Sequence, residues 1–347
     1  MSTLIKLILN GFVINLGFFL TDALWINALS LLNLSYGTIR PPLFIFTFLR
    51  SGIFFFWIIL QLGLSLRHSG QIIDSFRWYL LVPQILLLGF GLYGFFVEPF
   101  RLTVSQLQIP VQGLTRPIRI VQLSDIHVER ITPREQAIPQ RIESLHPDMI
   151  VVTGDFINES YINNPQSIDA TRELIGQLKA PLGVYGVNGN VETHNRLRDM
   201  LAGLNITILD NQVVRVPEIS QNFVLIGLNY VNGSVDEANL TRLMTQVQLD
   251  DFSLLLYHKP DLAYAAHDNN VKLYLAGHTH GGQVRAPFYG ALFSNSRYGK
   301  TFEMGQYQLG EMTLFVSRGL GFTGGVAPRI RFLAPPEIVA IDLIPTK

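Results

Sequence analysis

Residues Leu275–Val284 read LAGHTHGGQV, and the fold class follows from this stretch. The apolar run Val271–Ala276 before its histidines has the length and composition of a buried strand. The run stops at Gly277, after which His278 and His280 stand two residues apart, followed by Gly281 and Gly282. α/β folds place chemistry on loops of this kind, held at the end of a rigid strand. Neutral imidazole is the commonest metal ligand, so two histidines on one tight loop suit a metal. The glycines let backbone approach a metal or phosphate with no Cβ in the way. A polar turn with two solvated histidines would look the same locally. What separates the two is whether other strand ends carry matching ligands.

They do. Strands are expected at Ile118–Leu123, Met149–Thr153, Leu182–Val187, Phe223–Leu228, Ser253–Tyr257, Val271–Ala276, Thr313–Ser317 and Ile338–Leu343. Helices are expected at Glu135–Leu145, Ser167–Lys179, Asn195–Leu204, Asp236–Gln248 and Asp261–His267. This alternation predicts an α/β domain with largely parallel sheet. Polar residues recur just past the strands. LSDIH supplies Asp125 and His127 on alternate positions, so both point the same way. TGDFIN supplies Asp155, NGNVE supplies Asn190, and His258 follows Ser253–Tyr257. With His278 and His280, these side chains suit a dinuclear site in which one carboxylate bridges. Carboxylate, amide and imidazole ligation without thiolate suits Mn²⁺ foremost, with Zn²⁺ or Fe²⁺ as alternatives. Two metals roughly 3.5–4 Å apart can clamp both oxygens of an in-line phosphoryl displacement.

Upstream the composition changes. The chain has 347 residues, a formal net charge of +0 and no cysteine. Disulfides, Cys-ligated zinc and iron–sulfur clusters are therefore excluded, and the neutral balance gives no sign of nucleic-acid binding. The mean hydropathy of +0.28 is high for a soluble protein, and the excess lies towards the N-terminus. Leu4–Leu32, with Lys6 and Asp22, Leu43–Leu66, with Arg50, and the uncharged Trp78–Val97 are each long enough to span a bilayer. The first is too long for a cleavable signal. Arg50 is expected towards one end of its helix, snorkelling to the headgroups. Trp78, Tyr79 and Tyr93 suit an interfacial belt, and Asn10, Asn15 and Asn27 suit interhelical hydrogen bonds. Residues 1–98 thus read as a membrane domain of about three helices. Residues 99–117, with Pro110, Gly113 and Pro117, read as a linker, and 118–347 as the catalytic domain. Lys6, Arg67 and Arg77 balance Arg40, Arg50 and Arg101, so the positive-inside rule leaves the side of the catalytic domain unassigned. A short linker keeps that domain close to the lipid bilayer.

The blocks SDIH, GDFIN, GNVE, YHKP and GHTHGGQ, with the distal VSRGLG at Val316–Gly321, resemble those of the calcineurin-like metallophosphoesterases. The similarity runs from Ile118 to the C-terminus. It is closest to a membrane-anchored bacterial branch that includes a UDP-2,3-diacylglucosamine pyrophosphatase. The resemblance implies a four-layer α/β/β/α sandwich of two mixed sheets with helices outside. It implies Asp125, His127 and His280 on a first metal, Asp155 bridging, and Asn190, His258 and His278 on a second. The implied reaction is hydrolysis of a phosphodiester or pyrophosphate bond in a phosphorylated lipid or nucleotide-diphosphate substrate. The implied place is the cell (inner) membrane, as a multi-pass protein.

Some positions depart from the family pattern. The third block is usually Gly-Asn-His-Asp/Glu, its His the presumed general acid; here Val191 stands there, followed by Glu192. Lipid A pyrophosphohydrolases of the superfamily can also lack that His. Glu192 is expected ionised near neutral pH unless strongly desolvated. Asn158 replaces a common Asp and suits a hydrogen-bonding role. His194, just past the gap, is either a substitute acid or a surface residue at a helix start. Arg318 is either a bidentate phosphate donor or half of a structural ion pair. Val191 also fits a relative that binds a phosphorylated ligand as a sensor without turnover. A transporter is disfavoured, because three short-looped spans offer no paired repeat.

Overall fold

The structure, a computed structural model, describes residues 3–32, 40–67, 77–231, 233–323 and 327–346. It forms two compact units, one running to Val97 and one from Glu98 onward, with the short 327–330 segment clustering with the first.

The first unit consists of α1 (Thr3–Leu31), α2 (Arg40–Arg67) and α3 (Arg77–Leu92), the last continuing through a π turn at Tyr93–Val97. Among the described residues, Ile5–Leu29, Arg40–Leu64 and Trp78–Phe100 are long and apolar enough to cross a membrane. Large apolar side chains such as Phe12, Phe44, Phe48 and Phe56 point outward. Asp22, Arg50, Gln61 and Gln84 are buried among the helices, the arrangement expected where lipid rather than water is the solvent, while Asn10 and Asn27 are exposed. Arg50 corrects the snorkelling expectation: it is buried among the helices. Its guanidinium donates to Asp22 of α1, through Nε and through Nη2 at 2.8 Å. Nη1 donates to the Gln84 side chain of α3 at 2.6 Å. Gln84 in turn donates to Asn15 at 3.1 Å, so that asparagine links helices as expected. Asn27 instead donates to the Ala23 carbonyl of its own helix at 2.6 Å. An intramembrane charge is tolerated when paired, and here the partner lies on another helix, where a helix-by-helix reading does not find it.

The second unit opens with β1 (Thr103–Gln112) and β2 (Ile118–Leu123). Then come α4 (Pro133–Glu143), β3 (Met149–Thr153), α5 (Pro165–Gly176), β4 (Val184–Val187), α6 (His194–Met200) and β5 (Thr207–Ile208). β6 (Gln212–Arg215), β7 (Phe223–Gly227), α7 (Gly233–Met244), β8 (Phe252–Leu256), α8 (Ala263–Asp268) and β9 (Leu273–Ala276) follow. The chain ends through β10 (Arg285–Ala286), β11 (Gly290–Ala291), β12 (Gly305–Leu309), β13 (Met312–Val316) and β14 (Glu337–Thr346). One sheet has the order β1-β14-β2-β3-β4-β5 and the other β12-β13-β9-β8-β7-β6. Pairing within these two sheets is parallel except at β14/β2, β12/β13 and β6/β7.

Wholly apolar strands feed two different cores because successive side chains face opposite ways. Leu254, Leu256, Leu273 and Leu275 join Ile120, Met149 and Val151 in the core between the sheets. Leu255 and Tyr274 face the other way, packing with Leu240 and Leu243 of α7 and Ala263 and Ala266 of α8. Val121, Leu123, Ile150 and Val152 pack likewise against Ile138 of α4, Leu174 of α5 and Leu197 of α6. The result is the α/β/β/α sandwich of mixed sheets.

The expected 99–117 linker is corrected over most of its length. Thr103–Gln112 is an edge strand paired in parallel with β14. Its buried Leu107, Ile109 and Val111 alternate with exposed Gln108, Pro110 and Gln112. Pro110 punctuates a central strand but is tolerated at an edge, where one side of the ladder has no partner.

Candidate metal centre

Each candidate ligand leaves the C-terminal end of a strand, and the backbone there is bent sharply. Asp125, His127, Asp155, His278 and His280 all have positive φ, between 46° and 69°. That left-handed conformation is disfavoured for residues with a Cβ, by roughly 1–3 kcal/mol each, and clusters at functional sites. Hydrogen bonds between loops hold it: Asp125 N–H donates to the Gly154 carbonyl and His127 N–H to that of Asp155, each at 3.0 Å. Two glycines make the approach possible. A Cβ on Gly189 would lie 2.0 Å from Asp155 Oδ1, and one on Gly277 would lie 2.2 Å from Asp125 Oδ2.

Two buried groups result, Asp125–His127–His280 and Asp155–His258–His278, each able to hold a metal ion. In the first, His127 Nε2 faces His280 Nε2 at 3.2 Å, and His280 Nε2 lies 3.6 Å from Asp125 Oδ1. In the second, His278 Nδ1 faces His258 Nε2 at 3.1 Å, and His258 Nε2 lies 3.3 Å from Asp155 Oδ2. Asp155 Oδ2 also lies 3.4 Å from His127 Nε2, so one carboxylate oxygen touches both groups. Asn190 Oδ1 sits 3.0 Å from His258 Nε2. Surrounding bonds aim these atoms. His258 Nδ1 donates to the Thr153 carbonyl at 2.8 Å, which leaves Nε2 to point into the site. His278 N–H donates to both Asp125 oxygens, at 3.0 and 2.9 Å, and Ser124 Oγ donates to Oδ2 at 2.6 Å. Val191 N–H donates to Asp155 Oδ1 at 3.0 Å.

The electrostatics suit cations. Burial pushes the Asp125 carboxyl up to about 6, with Asp155 adding to the effect and His258 opposing it. Burial also pushes Asp155 up, but His258, His127 and His278 outweigh it and hold its carboxyl below the usual range. Burial would lower His258, yet Asp155 and Asp125 raise it to about 9. His278 and His280 fall well below the usual histidine range, through burial first and then His258 or His127 nearby. The neutral rings of His278 and His280 therefore present nitrogen lone pairs to the site, while His258 holds a proton against Asp155 that a cation would displace. That donor set fits divalent cations.

All seven sequence-predicted ligands converge here, and the other candidates border the site with partners of their own. His194 opens α6 as expected but is largely buried, its Nε2 lying 3.3 Å from Asp210 Oδ2. It lines a groove of about 520 Å³ with Asn190, Val191 and Tyr230. Arg318 is engaged by Glu337, at 2.8 Å from its guanidinium and 2.9 Å from its backbone N–H. Asn158 donates to the Phe322 carbonyl at 3.0 Å, a hydrogen-bonding role. Glu192 meets the desolvation condition: burial, then Asp155, push it up to about 8. It accepts from the Phe156 and Ile157 N–H groups at 2.5 and 2.9 Å, bracing the loop behind Asp155. Arg331 was not singled out by the sequence. Fully buried, it donates to the carbonyls of Arg318, Gly319 and Gly321, and its Nη2 lies 3.5 Å from His280 Nδ1. Burial, then Arg134 and Arg318, lower it to about 9. Arg331, one of two arginines in RIRF, carries no local signal that it will tie together a loop.

The chain is similar to known proteins. The family model for calcineurin-like phosphoesterases matches residues 118–282. The uncharacterized metallophosphoesterase YkuE of Bacillus subtilis is 32% identical over 74% of this chain and 90% of its own. Phosphodiesterase YaeI of Escherichia coli is 28% identical over 74% of this chain and 93% of its own. Among solved structures, TT1561 of Thermus thermophilus aligns with 58% of this chain and 90% of that one, with a TM-score of 0.41 and 11% identity. The chain belongs to the calcineurin-like phosphoesterase family and is a metal-dependent phosphoester hydrolase.

Proposed function

We propose that the protein is a membrane-anchored dinuclear enzyme that cleaves phosphodiester or pyrophosphate bonds whose leaving group needs no proton. The preferred substrate is a membrane-borne one, such as a nucleotide-diphosphate lipid of the UDP-2,3-diacylglucosamine type. The observation that carries this reading is Asp155 Oδ2 lying 3.4 Å from His127 Nε2 and 3.3 Å from His258 Nε2, one oxygen shared by two ligand groups. Asp125, His127 and His280 would hold one cation, His258, His278 and Asn190 the other, and Asp155 both. When bound, Mn²⁺, or Zn²⁺ or Fe²⁺ in its place, supplies Lewis acidity and charge neutralisation at phosphorus.

The chain's own residues then decide the leaving group. Val191 offers no proton, and its amide is occupied by Asp155. Glu192 is turned to the Phe156 and Ile157 amides. A positioned general acid is worth roughly 10²–10⁴-fold, so its absence penalises alkoxide departure far more than that of phosphate or phenolate. His194 shares the groove with Asn190 and is the residue to which we would assign any proton donation. We give Arg318 no part in substrate binding, because Glu337 already engages its guanidinium. A membrane-borne substrate is favoured by the chain itself: β1 begins at Thr103, directly after an apolar stretch that ends at Phe100.

The critical variant is Val191→His. Turnover should rise on alkyl diesters, by a factor on the order of 10² or less, and change little on aryl diesters or pyrophosphates. Comparable wild-type rates on alkyl and aryl diesters would contradict this leaving-group argument and direct attention to His194.

A further inference from the structure

The loop that carries His278 and His280 runs straight into a short hairpin, β10 and β11, whose tip is Pro287-Phe288-Tyr289. Its base is tied to the ligand loop. Arg285 donates to the Gly281 carbonyl at 2.7 Å and pairs with Glu303 at 3.0 Å. Glu303 also accepts from Ala291 N–H at 2.9 Å, and its carbonyl accepts from Thr279 Oγ1 at 2.7 Å. Gly282 packs so closely on β11 that a Cβ there would lie 2.3 Å from that of Ala291.

The tip is the opposite of this well-bonded base. At the tip Phe288 is fully exposed and Tyr289 is exposed; just past β11, Leu292, whose N–H donates to the Val284 carbonyl, and Phe293, 86% exposed, also reach solvent. Phe288 is held at φ +64°, a conformation in which a bulky side chain is rarely placed. Four exposed large apolar side chains within six residues are a feature of the kind that marks an interaction surface. Lys300 lies with its Nζ 3.5 Å from the Tyr289 ring centroid, adding a cation to the aromatic edge. Aromatic rings with a polar or cationic rim match the headgroup layer of a bilayer. A bilayer with anionic lipid complements both parts. Such a surface is close at hand, since the same chain carries three stretches long and apolar enough to span a membrane.

We propose that this hairpin, through Phe288 and Tyr289 at its tip and Leu292 and Phe293 just after β11, inserts into the headgroup region of an anionic bilayer and so fixes the ligand loop at the lipid surface. The docking does not require that the substrate be a lipid.

The chain has no cysteine, so single-cysteine spin labelling tests this in the full-length protein. A nitroxide is placed at Pro287→Cys, which leaves the apolar residues intact, and at Leu249→Cys, 93% exposed, as an aqueous reference. The protein is reconstituted in phosphatidylethanolamine–phosphatidylglycerol vesicles. At 287, collision with membrane-soluble oxygen should exceed collision with a water-soluble nickel chelate, with the reverse at 249. In a Phe288→Asp/Phe293→Asp background, 287 should revert to the pattern of 249; Asp tolerates the left-handed conformation, so the turn survives. A label at 287 as water-exposed as that at 249 overturns the proposal. So does a label shielded from both reagents, which would mark a protein partner instead.

Discussion

At the scale of single residues, His258 concentrates the physics of the site. Its Nδ1 is committed to the Thr153 carbonyl, and its Nε2 faces Asp155, Asn190 and His278. Burial works against its charge, but the two aspartates raise it to about 9. At neutral pH the metal-free ring is therefore doubly protonated, and a cation at Nε2 must displace a proton. The sign follows: affinity for the cation rises with pH up to about 9 and flattens above it, as linkage requires. Calorimetric titration of the metal-free protein with Mn²⁺ at pH 7, in two buffers of different ionisation enthalpy, should report net proton release. A binding enthalpy independent of buffer would contradict it. None of this is written in the sequence around His258. Its candidacy as a ligand is legible because YHKP follows an apolar run, but its charge depends on residues about 100 positions earlier.

At the scale of elements, the three N-terminal helices are held together by a polar clasp, Asp22–Arg50–Gln84–Asn15. Removing one partner of a buried ion pair costs roughly 3–5 kcal/mol, whereas replacing both by apolar groups is often near neutral. Asp22→Leu should therefore lower the unfolding temperature of the detergent-solubilised full chain markedly. Asp22→Leu/Arg50→Leu should recover most of the loss; equal destabilisation by single and double variants would show that the pair is not the clasp. The helices themselves were legible because bilayer thickness sets their length. The clasp was not, because pairing between helices has no local pattern. β1 was hidden for a related reason. Pro110 is a turn signal by itself, and only the edge position, set by β14 more than two hundred residues away, makes it acceptable in a strand.

At the scale of the whole molecule, the catalytic unit works as a convergence of strand ends. β2, β3 and β4 deliver Asp125, His127, Asp155 and Asn190 from one sheet, while β8 and β9 deliver His258, His278 and His280 from the other. Gln122 crosses between them, donating to Thr153 Oγ1 and to the Ala276 carbonyl, each at 3.0 Å. The convergence of the candidate ligands was readable because each stands within four residues of the end of an apolar run. The division into two sheets was not readable from those runs, which look alike whichever sheet they enter; it came through the family resemblance. The central claim is that Asp155 is shared by two cations, and metal content with turnover tests it most directly. Full-length protein loaded with Mn²⁺ and freed of excess should hold two ions per chain, one for each ligand group. Asp155→Ala should lose metal at both positions and nearly all hydrolysis of an aryl phosphodiester. An Asp155→Ala protein that kept two ions and most of its turnover would contradict the account.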